Sequence, residues 1–294
     1  MWQQKSYHEG SRTGALFLVP TPIGNLEDMT FRAVRTLKEA DLIAAEDTRQ
    51  TKKLCNHFEI NAPLTSYHDH NKQQSGIKLI EALKVGKQIA LVTDAGMPGI
   101  SDPGYDLVVQ CVEEMIPVIP LPGANAALPA LVASGLNTDL FTFYGFLPRG
   151  KKDKKAELER LKRFPSTLLF YEAPHRLKDT LQAMNEIFEN RKIAVVRELT
   201  KRYEEIIRGT LDEVSEFLNK EDAEIRGEFC LVVEGSGNKE FEEEASAEWW
   251  ETLSVVDHVD HYVNEGEKPK DAIKLAATDR NVPKRTIYQE YHGL

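Results

Sequence analysis

The chain has 294 residues and a formal net charge of −10, with 37 basic against 47 acidic side chains. That length accommodates two domains and a small third, and an apolar share of 41% is enough for a sizeable core. No run of about 18 apolar residues occurs, which excludes a membrane-spanning helix, and the acidic sum weighs mildly against a nucleic-acid partner unless the basic residues are concentrated.

Residues 1–13 are polar, lack the apolar stretch of a signal peptide and read as a disordered tail. Ala15 to Val19 is the first strand candidate. Thr30 is placed to cap a helix running to about Ala40, with Phe31, Val34 and Leu37 on one face. Leu42 to Ala45 is extended, Thr48 to His57 helical, and Leu64 to Tyr67 extended again. A helix from about Gln73 to Lys84 stops at Gly86. Gln88 to Thr93 reads as a buried strand and Tyr105 to Met115 as a helix. Ile116 to Leu121 is extended, and Pro117 favours an edge or an irregular strand. Strand–helix alternation of this kind predicts an α/β fold with a mostly parallel sheet.

Gly123 to Ser134 is a short apolar helix ended by Gly135. A second α/β unit follows. Its strand candidates are Phe141 to Gly145, Thr167 to Tyr171, Ile193 to Val196, Tyr203 to Arg208 and Glu228 to Val233. Its helices lie near Lys154 to Phe164, His175 to Phe188 and Leu211 to Leu218. A polar linker spans about 236–247. Helices then follow at Val255 to Val263, Asp271 to Ala277 and Pro283 to Tyr291, as a helix-turn-helix or a small cap. The expected division is a tail at 1–13, α/β domains at 14–121 and 122–235, the linker, and a helical region at 248–294.

Ligands of α/β sheets bind beyond the carboxyl ends of the strands. Here those ends carry Pro- and Gly-bearing loops: Val19 to Thr30, Thr93 to Gly104, and Leu121 to Ala126. Proline stiffens such a loop and glycine lets backbone approach a ligand closely. No GxGxxG opens a helix after the first strand and no GxxxxGK[ST] occurs, so the common dinucleotide and P-loop readings fail. Glu234-Gly235-Ser236-Gly237 mimics a methyltransferase loop but leads into an acidic linker instead of a helix.

The runs VPTPIGNLEDMTFRAVRTLKEADLIAAEDTR, DAGMPGISDPG, LPGANAALPALVASGL, FYGFLPRG, FYEAPHR and RELTKRYEEIIRG together resemble the family of ribosomal small-subunit (16S) RNA ribose 2′-O-methyltransferases acting on cytidine. That family lies within the tetrapyrrole-methylase superfamily, and the resemblance covers about residues 14–235. It implies two α/β domains with S-adenosylmethionine in the cleft between them, and a homodimer. Carried over by motif, it implies cofactor contacts at Ile23, Val92, Thr93, Asp94, Met97, Asn125, Ala126, Glu172 and Leu199. Small-molecule members of the superfamily have a glycine-richer first loop. Pro20, Pro22 and Asn25 depart from it here, which fits the RNA branch. A tetrapyrrole C-methyltransferase on the same fold, or a non-catalytic RNA-binding assembly factor, are the competing readings.

Methyl transfer to a 2′-hydroxyl needs an acceptor for its proton. Glu172, Glu46 and Asp47 are the candidate catalytic carboxylates. The residues expected to meet RNA are Arg49, Arg149, Lys151, Lys152, Lys154, Lys155, His175 and Arg176, since a basic segment attracts phosphate without regard to sequence. Lys268, Lys270, Lys274, Arg280, Lys284 and Arg285 offer a second basic surface. His68 and His70 have the spacing of metal ligands but no further ligand nearby in sequence, so no metal is expected. Cys55, Cys111 and Cys230 are far apart in sequence, the pattern of free thiols in a reducing cytoplasm.

Overall fold

The computed structural model describes residues 1–4, 14–220, 224–237, 250 and 253–293. They fall into two compact units, Met1–Ser236 and Gly237–Leu294. Most of the expected tail and linker lies outside the described residues. Gln4, expected to be disordered, is instead tied to an edge strand: its side-chain amide donates to the Val118 carbonyl (2.8 Å) and accepts from the Val118 N–H (2.9 Å).

The larger unit begins with β1 (Ala15–Leu18), α1 (Phe31–Glu39), β2 (Leu42–Ala45), α2 (Thr48–His57) and β3 (Leu64–Ser66). It continues with α3 (Lys72–Lys84), β4 (Gln88–Val92), α4 (Tyr105–Glu113) and β5 (Val118–Pro120). The strands form one sheet in the order β3-β2-β4-β1-β5, and every pairing is parallel. Both faces are covered, which is why the strands read as continuous apolar runs. In β4, Ile89 and Leu91 pack on one side with Leu79, Leu83 and Leu107, while Ala90 and Val92 pack on the other with Ala33, Leu37 and Cys55. α1 starts where Thr30 accepts the Ala33 N–H. Its buried face is Ala33, Thr36 and Leu37, two small residues beside one leucine. Phe31, expected in the core, is 98% exposed.

The second sheet uses α5 (Ala127–Ser134), β6 (Phe141–Phe146), α6 (Lys151–Leu161), β7 (Thr167–Glu172) and α7 (Leu177–Phe188). β8 (Lys192–Arg197), β9 (Glu205–Thr210), α8 (Leu211–Leu218) and β10 (Phe229–Val233) complete it. Its order is β6-β7-β10-β8-β9. Only β6 and β7 run parallel; β10 is antiparallel to both its neighbours, and β8 to β9. Residues 198–204 join β8 to β9 and are too few for the crossover a parallel pairing requires. Leu168, Phe170, Val195 and Leu231 pack with residues of α6, α7 and α8, while Leu169, Val196, Cys230 and Val232 pack with Ala127, Ala130 and Leu131 of α5.

The described residues of the smaller unit include three helices, α9 (Val255–Asn264), α10 (Pro269–Asp279) and α11 (Lys284–His292). Their shared core includes Val259, Ala272, Ile273, Ala276 and Ile287. His258 is buried with them, its ring stacked on Trp250. Its Nδ1 accepts from Arg280 Nε (3.0 Å) and its Nε2 faces Asp279 (3.2 Å). Arg280 also donates to the Trp250 and Leu253 carbonyls, so this cation, expected on a basic surface, is spent inside the unit. Among the described residues no helix is long and apolar enough to cross a membrane.

Candidate active site

The strand-end loops of the larger unit are cross-linked by backbone. Thr21 and Gly96 exchange both hydrogen bonds, N–H to O at 3.0 and 2.9 Å, and the Thr21 hydroxyl donates to the Thr93 carbonyl at 3.0 Å. Gly96 sits at φ +82°, where a side chain is strained. Gly123 lies against Pro20, since a Cβ there would stand 2.8 Å from the proline ring. The loop after β2 joins the same network: the Asp47 N–H donates to Asp94 Oδ1 (3.1 Å). Asn125 Oδ1 accepts the Leu128 N–H and so holds the first turn of α5.

These loops and the ends of β6, β7, β8 and β10 enclose a cavity of about 490 Å³, within the roughly 300–1,000 Å³ usual for small-molecule sites. Of the residues expected to contact a cofactor, Ile23, Asp94, Met97, Asn125, Ala126, Glu172 and Leu199 line it; Val92 and Thr93 do not and are buried at the end of β4. Glu46 also lines it, whereas Asp47 does not. Asp47 caps α2 by accepting the Arg49 N–H (2.8 Å) and pairs with the Arg49 guanidinium (2.7 Å). Hydrogen bonding to Arg49 holds its carboxyl down to about 2.

Several lining residues escaped the sequence. Phe146, Tyr171, Val196, Phe229 and Cys230 form apolar wall contributed by the second sheet. Phe229 and Cys230 stand at the amino end of β10, opposite Glu172 and Tyr171. A search confined to carboxyl ends passes over them because the strand runs backwards. Burial pushes the Tyr171 hydroxyl up to about 12, with the Ala126 and Ala127 backbone pulling the other way. Asp102 was visible as one acid within the Thr93–Gly104 loop, but only the fold places it in the cavity with Glu46 and Asp94. Burial pushes its carboxyl up to about 6; the charges of Glu46 and Asp94 add to the rise, and the Thr93 hydroxyl opposes it.

The cavity wall is chemically one-sided. It carries five carboxyl side chains, Glu46, Asp94, Asp102, Glu172 and Glu228, and among the described residues that line it there is no Lys, Arg or His. Arg176 and Lys201, behind the lining, pair with Glu172 and Glu228, so the acidic bias rests on Glu46, Asp94 and Asp102. Apolar walls with an acidic bias suit a ligand that is part aromatic, part thioether-like and positively charged. They repel phosphate. Among the described residues no group of three or more His, Cys, Asp and Glu is arranged to hold a metal ion.

Three expectations need correction. Glu172 is not free to receive a proton from substrate. Its side chain is 1% exposed, Oε1 accepts the Ala173 N–H (2.9 Å) and faces Arg176 Nε (3.2 Å), and Oε2 accepts the Thr180 hydroxyl (2.6 Å). Lys154 is not part of a basic surface. It is 5% exposed and its Nζ donates to the same Thr180 hydroxyl (2.9 Å); burial pushes its pKa down. Arg176 is spent on the Leu147 and Pro148 carbonyls as well as on Glu172. Lys154, Thr180, Glu172 and Arg176 are therefore one buried network tying α6, α7 and the loop after β6 to the end of β7. Arg149, Lys151, Lys152, Lys155 and His175 are exposed, Lys155 pairing with Glu186. The side chain of Arg49 is 87% exposed, although it pairs with Asp47.

Comparison with known proteins agrees with this architecture. Residues 15–215 match the Tetrapyrrole (Corrin/Porphyrin) Methylases. The chain is 62% identical over 290 residues to the ribosomal RNA small subunit methyltransferase I of Bacillus subtilis (strain 168), covering 99% of this chain and 98% of that one. It is 60% identical to the protein of the same name from Halalkalibacterium halodurans, covering 99% of each. Among solved structures, a cobalt precorrin-4 methyltransferase superposes with a TM-score of 0.56 at 17% identity, over 78% of this chain and 98% of that one; at that identity the likeness is one of fold. By sequence and by the two-sheet architecture, the chain belongs to the tetrapyrrole methylase family.

Proposed function

We propose that the chain is an S-adenosylmethionine-dependent methyltransferase of 16S ribosomal RNA, and that its acceptor is the ribose 2′-hydroxyl of a cytidine in the decoding region. The observation that carries the reading is the acidic, cation-free cavity at the strand ends, joined to 62% identity over nearly the whole chain with a protein named as a small-subunit rRNA methyltransferase. S-adenosylmethionine supplies a methyl group already activated on a sulfonium. Ile23, Met97, Ala126 and Leu199 offer apolar contact, and Asp94 and Glu46 offer negative charge to a cationic ligand. Placement of the two reactants is worth roughly 7–11 kcal/mol of the barrier.

The proton of the 2′-oxygen goes to Asp102 in this reading. A carboxylate near 6 is ionised at neutral pH yet basic enough to accept it. Glu46 and Asp94 raise that basicity by repulsion. RNA phosphates, unwelcome inside the cavity, sit outside on Arg49, Arg149, Lys151, Lys152, Lys155 and His175. The assembled small subunit as substrate, a cytoplasmic location and a homodimer belong to the same proposal. Exposed Leu128 and Val132 on α5 and Leu140 and Phe141 at the start of β6 supply apolar surface for a second copy.

Labelled S-adenosylmethionine incubated with small subunits, naked 16S rRNA and precorrins tests this. Label on ribose in 16S rRNA is expected, and the Asp94→Ala variant should lose cofactor binding by calorimetry. Label in a precorrin alone, or none in RNA, overturns it.

A further inference from the structure

The turn after β8 holds backbone that its own residues disfavour. Glu198 lies at φ +49° and Thr200 at φ +69°, a region uncommon outside glycine and a marked outlier for a β-branched residue. Strain of this kind persists only where the surroundings over-determine it, and it gathers at binding sites. Leu199, between the two, lines the cavity.

What holds the turn is legible atom by atom. The Glu198 N–H donates to the Glu228 carbonyl (3.0 Å), and the Glu228 N–H returns to Glu198 Oε1 (3.0 Å). Thr200 N–H donates to Glu204 Oε2 (2.7 Å). Lys201 Nζ bridges Glu198 Oε1 (2.8 Å) and Glu228 Oε2 (3.0 Å). With its ammonium fixed there, the aliphatic stem of Lys201 lies across Gly24 in the loop after β1. A Cβ on Gly24 would overlap Lys201 Cγ and stand 2.8 Å from Cε. Gly227 makes the matching space on the other side, since a Cβ there would overlap the Glu198 carboxylate. Gly24 follows Ile23, and Ile23 and Leu199 both line the cavity, one from the loop of each sheet.

We infer that Lys201 is a positioning residue for the methyl donor: it keys the strained Glu198–Lys201 turn onto Gly24 and thereby fixes Ile23 and Leu199 in the cavity wall. The inference rests on the cavity being the cofactor site. It differs from a purely structural ion pair in one respect. Loss of the key should act on donor affinity, leaving the chemical step of a saturated enzyme in place.

The test measures S-adenosylhomocysteine binding by calorimetry, and KM and kcat for the donor, in the full-length protein and in Lys201→Ala, Lys201→Arg and Gly24→Ala variants. Lys201→Ala is expected to raise both Kd and donor KM about tenfold or more, with kcat at saturation within about twofold. Lys201→Arg, which keeps stem and cation, should recover most of the affinity. Gly24→Ala leaves all three ion-pairing groups intact and displaces the stem, but any side chain at φ +155° also strains the loop itself. Its effect should therefore fail to add to that of Lys201→Ala in the double variant, an additive effect overturning the inference. Lys201→Gln, which removes the cation and keeps most of the stem, carries the test with the same expected loss of affinity if Lys201→Ala does not fold. Unchanged donor affinity in folded Lys201→Ala or Gly24→Ala, or a fall in kcat at constant KM, overturns the inference. Failure of the wild-type protein to bind S-adenosylhomocysteine would instead remove the cofactor reading beneath it.

Discussion

The cavity and the segment at residues 149–163 are opposites in charge. One presents carboxylates and apolar walls without a cation; the other exposes Arg149, Lys151 and Lys152. A net charge of −10 is thus an average over two surfaces with separate tasks. In the proposed function phosphate is attracted to one and turned away from the other, so that a polynucleotide would enter by a neutral edge such as a ribose. Lys154 shows that the division is not a matter of composition. It belongs to the basic run in sequence and to the buried Glu172 network in space.

The contrast can be broken from the cavity side first. Asp102→Asn is expected to lower kcat roughly a hundred- to ten-thousand-fold, the range of a lost general base, with donor affinity kept. In the wild type, log kcat/KM should rise with pH and bend near 6, because only the ionised carboxylate accepts a proton; the Asn variant should be flat there. The shift is upward, so protonation favours the folded protein. The stability Asp102 contributes is full below its ordinary carboxylate range and is lost as pH rises through about 6. A retained bend in the Asn variant would assign the proton elsewhere.

Next in size, Glu172→Ala strands the Lys154 ammonium and Arg176 in the interior. It should cost about 3–5 kcal/mol of stability in urea unfolding; a change under 1 kcal/mol would deny the network its role. On the outer surface, reversing Lys151 and Lys152 to Glu should weaken rRNA binding about tenfold and flatten its salt dependence, by roughly one unit of slope for each phosphate no longer neutralised, with donor affinity unchanged. The smallest effect is the sharpest: Lys154→Met should leave RNA affinity within about twofold, because the side chain it removes faces Thr180 and not solvent.

Most of the parallel sheet is legible in the sequence, because strands buried on both faces announce themselves as apolar runs and their loops as Pro–Gly clusters. α1 is misjudged by period alone, which favours Phe31 where the packing selects Ala33 and Thr36. Lys154 is a different miss. It shares a helical stripe with Leu158 and Leu161, all three buried, and the spacing is there to see; charge obscures it. The site itself is half visible. The loops of the first sheet stand out whole, Asp102 among them, but the wall supplied by Phe229 and Cys230 depends on strand direction, which no local pattern encodes.

That direction has a consequence for how the protein is made. β10 is the last strand of the larger unit to leave the ribosome, yet it lies between β7 and β8. Until residue 233 emerges, the second sheet can exist only as two separate strand pairs, β6-β7 and β8-β9, each with a bare edge where β10 belongs, and such edges invite pairing with other chains. Closure is a long-range event of the slow-folding kind. A product truncated before Phe229 would carry every loop of the first sheet and still lack a finished cavity.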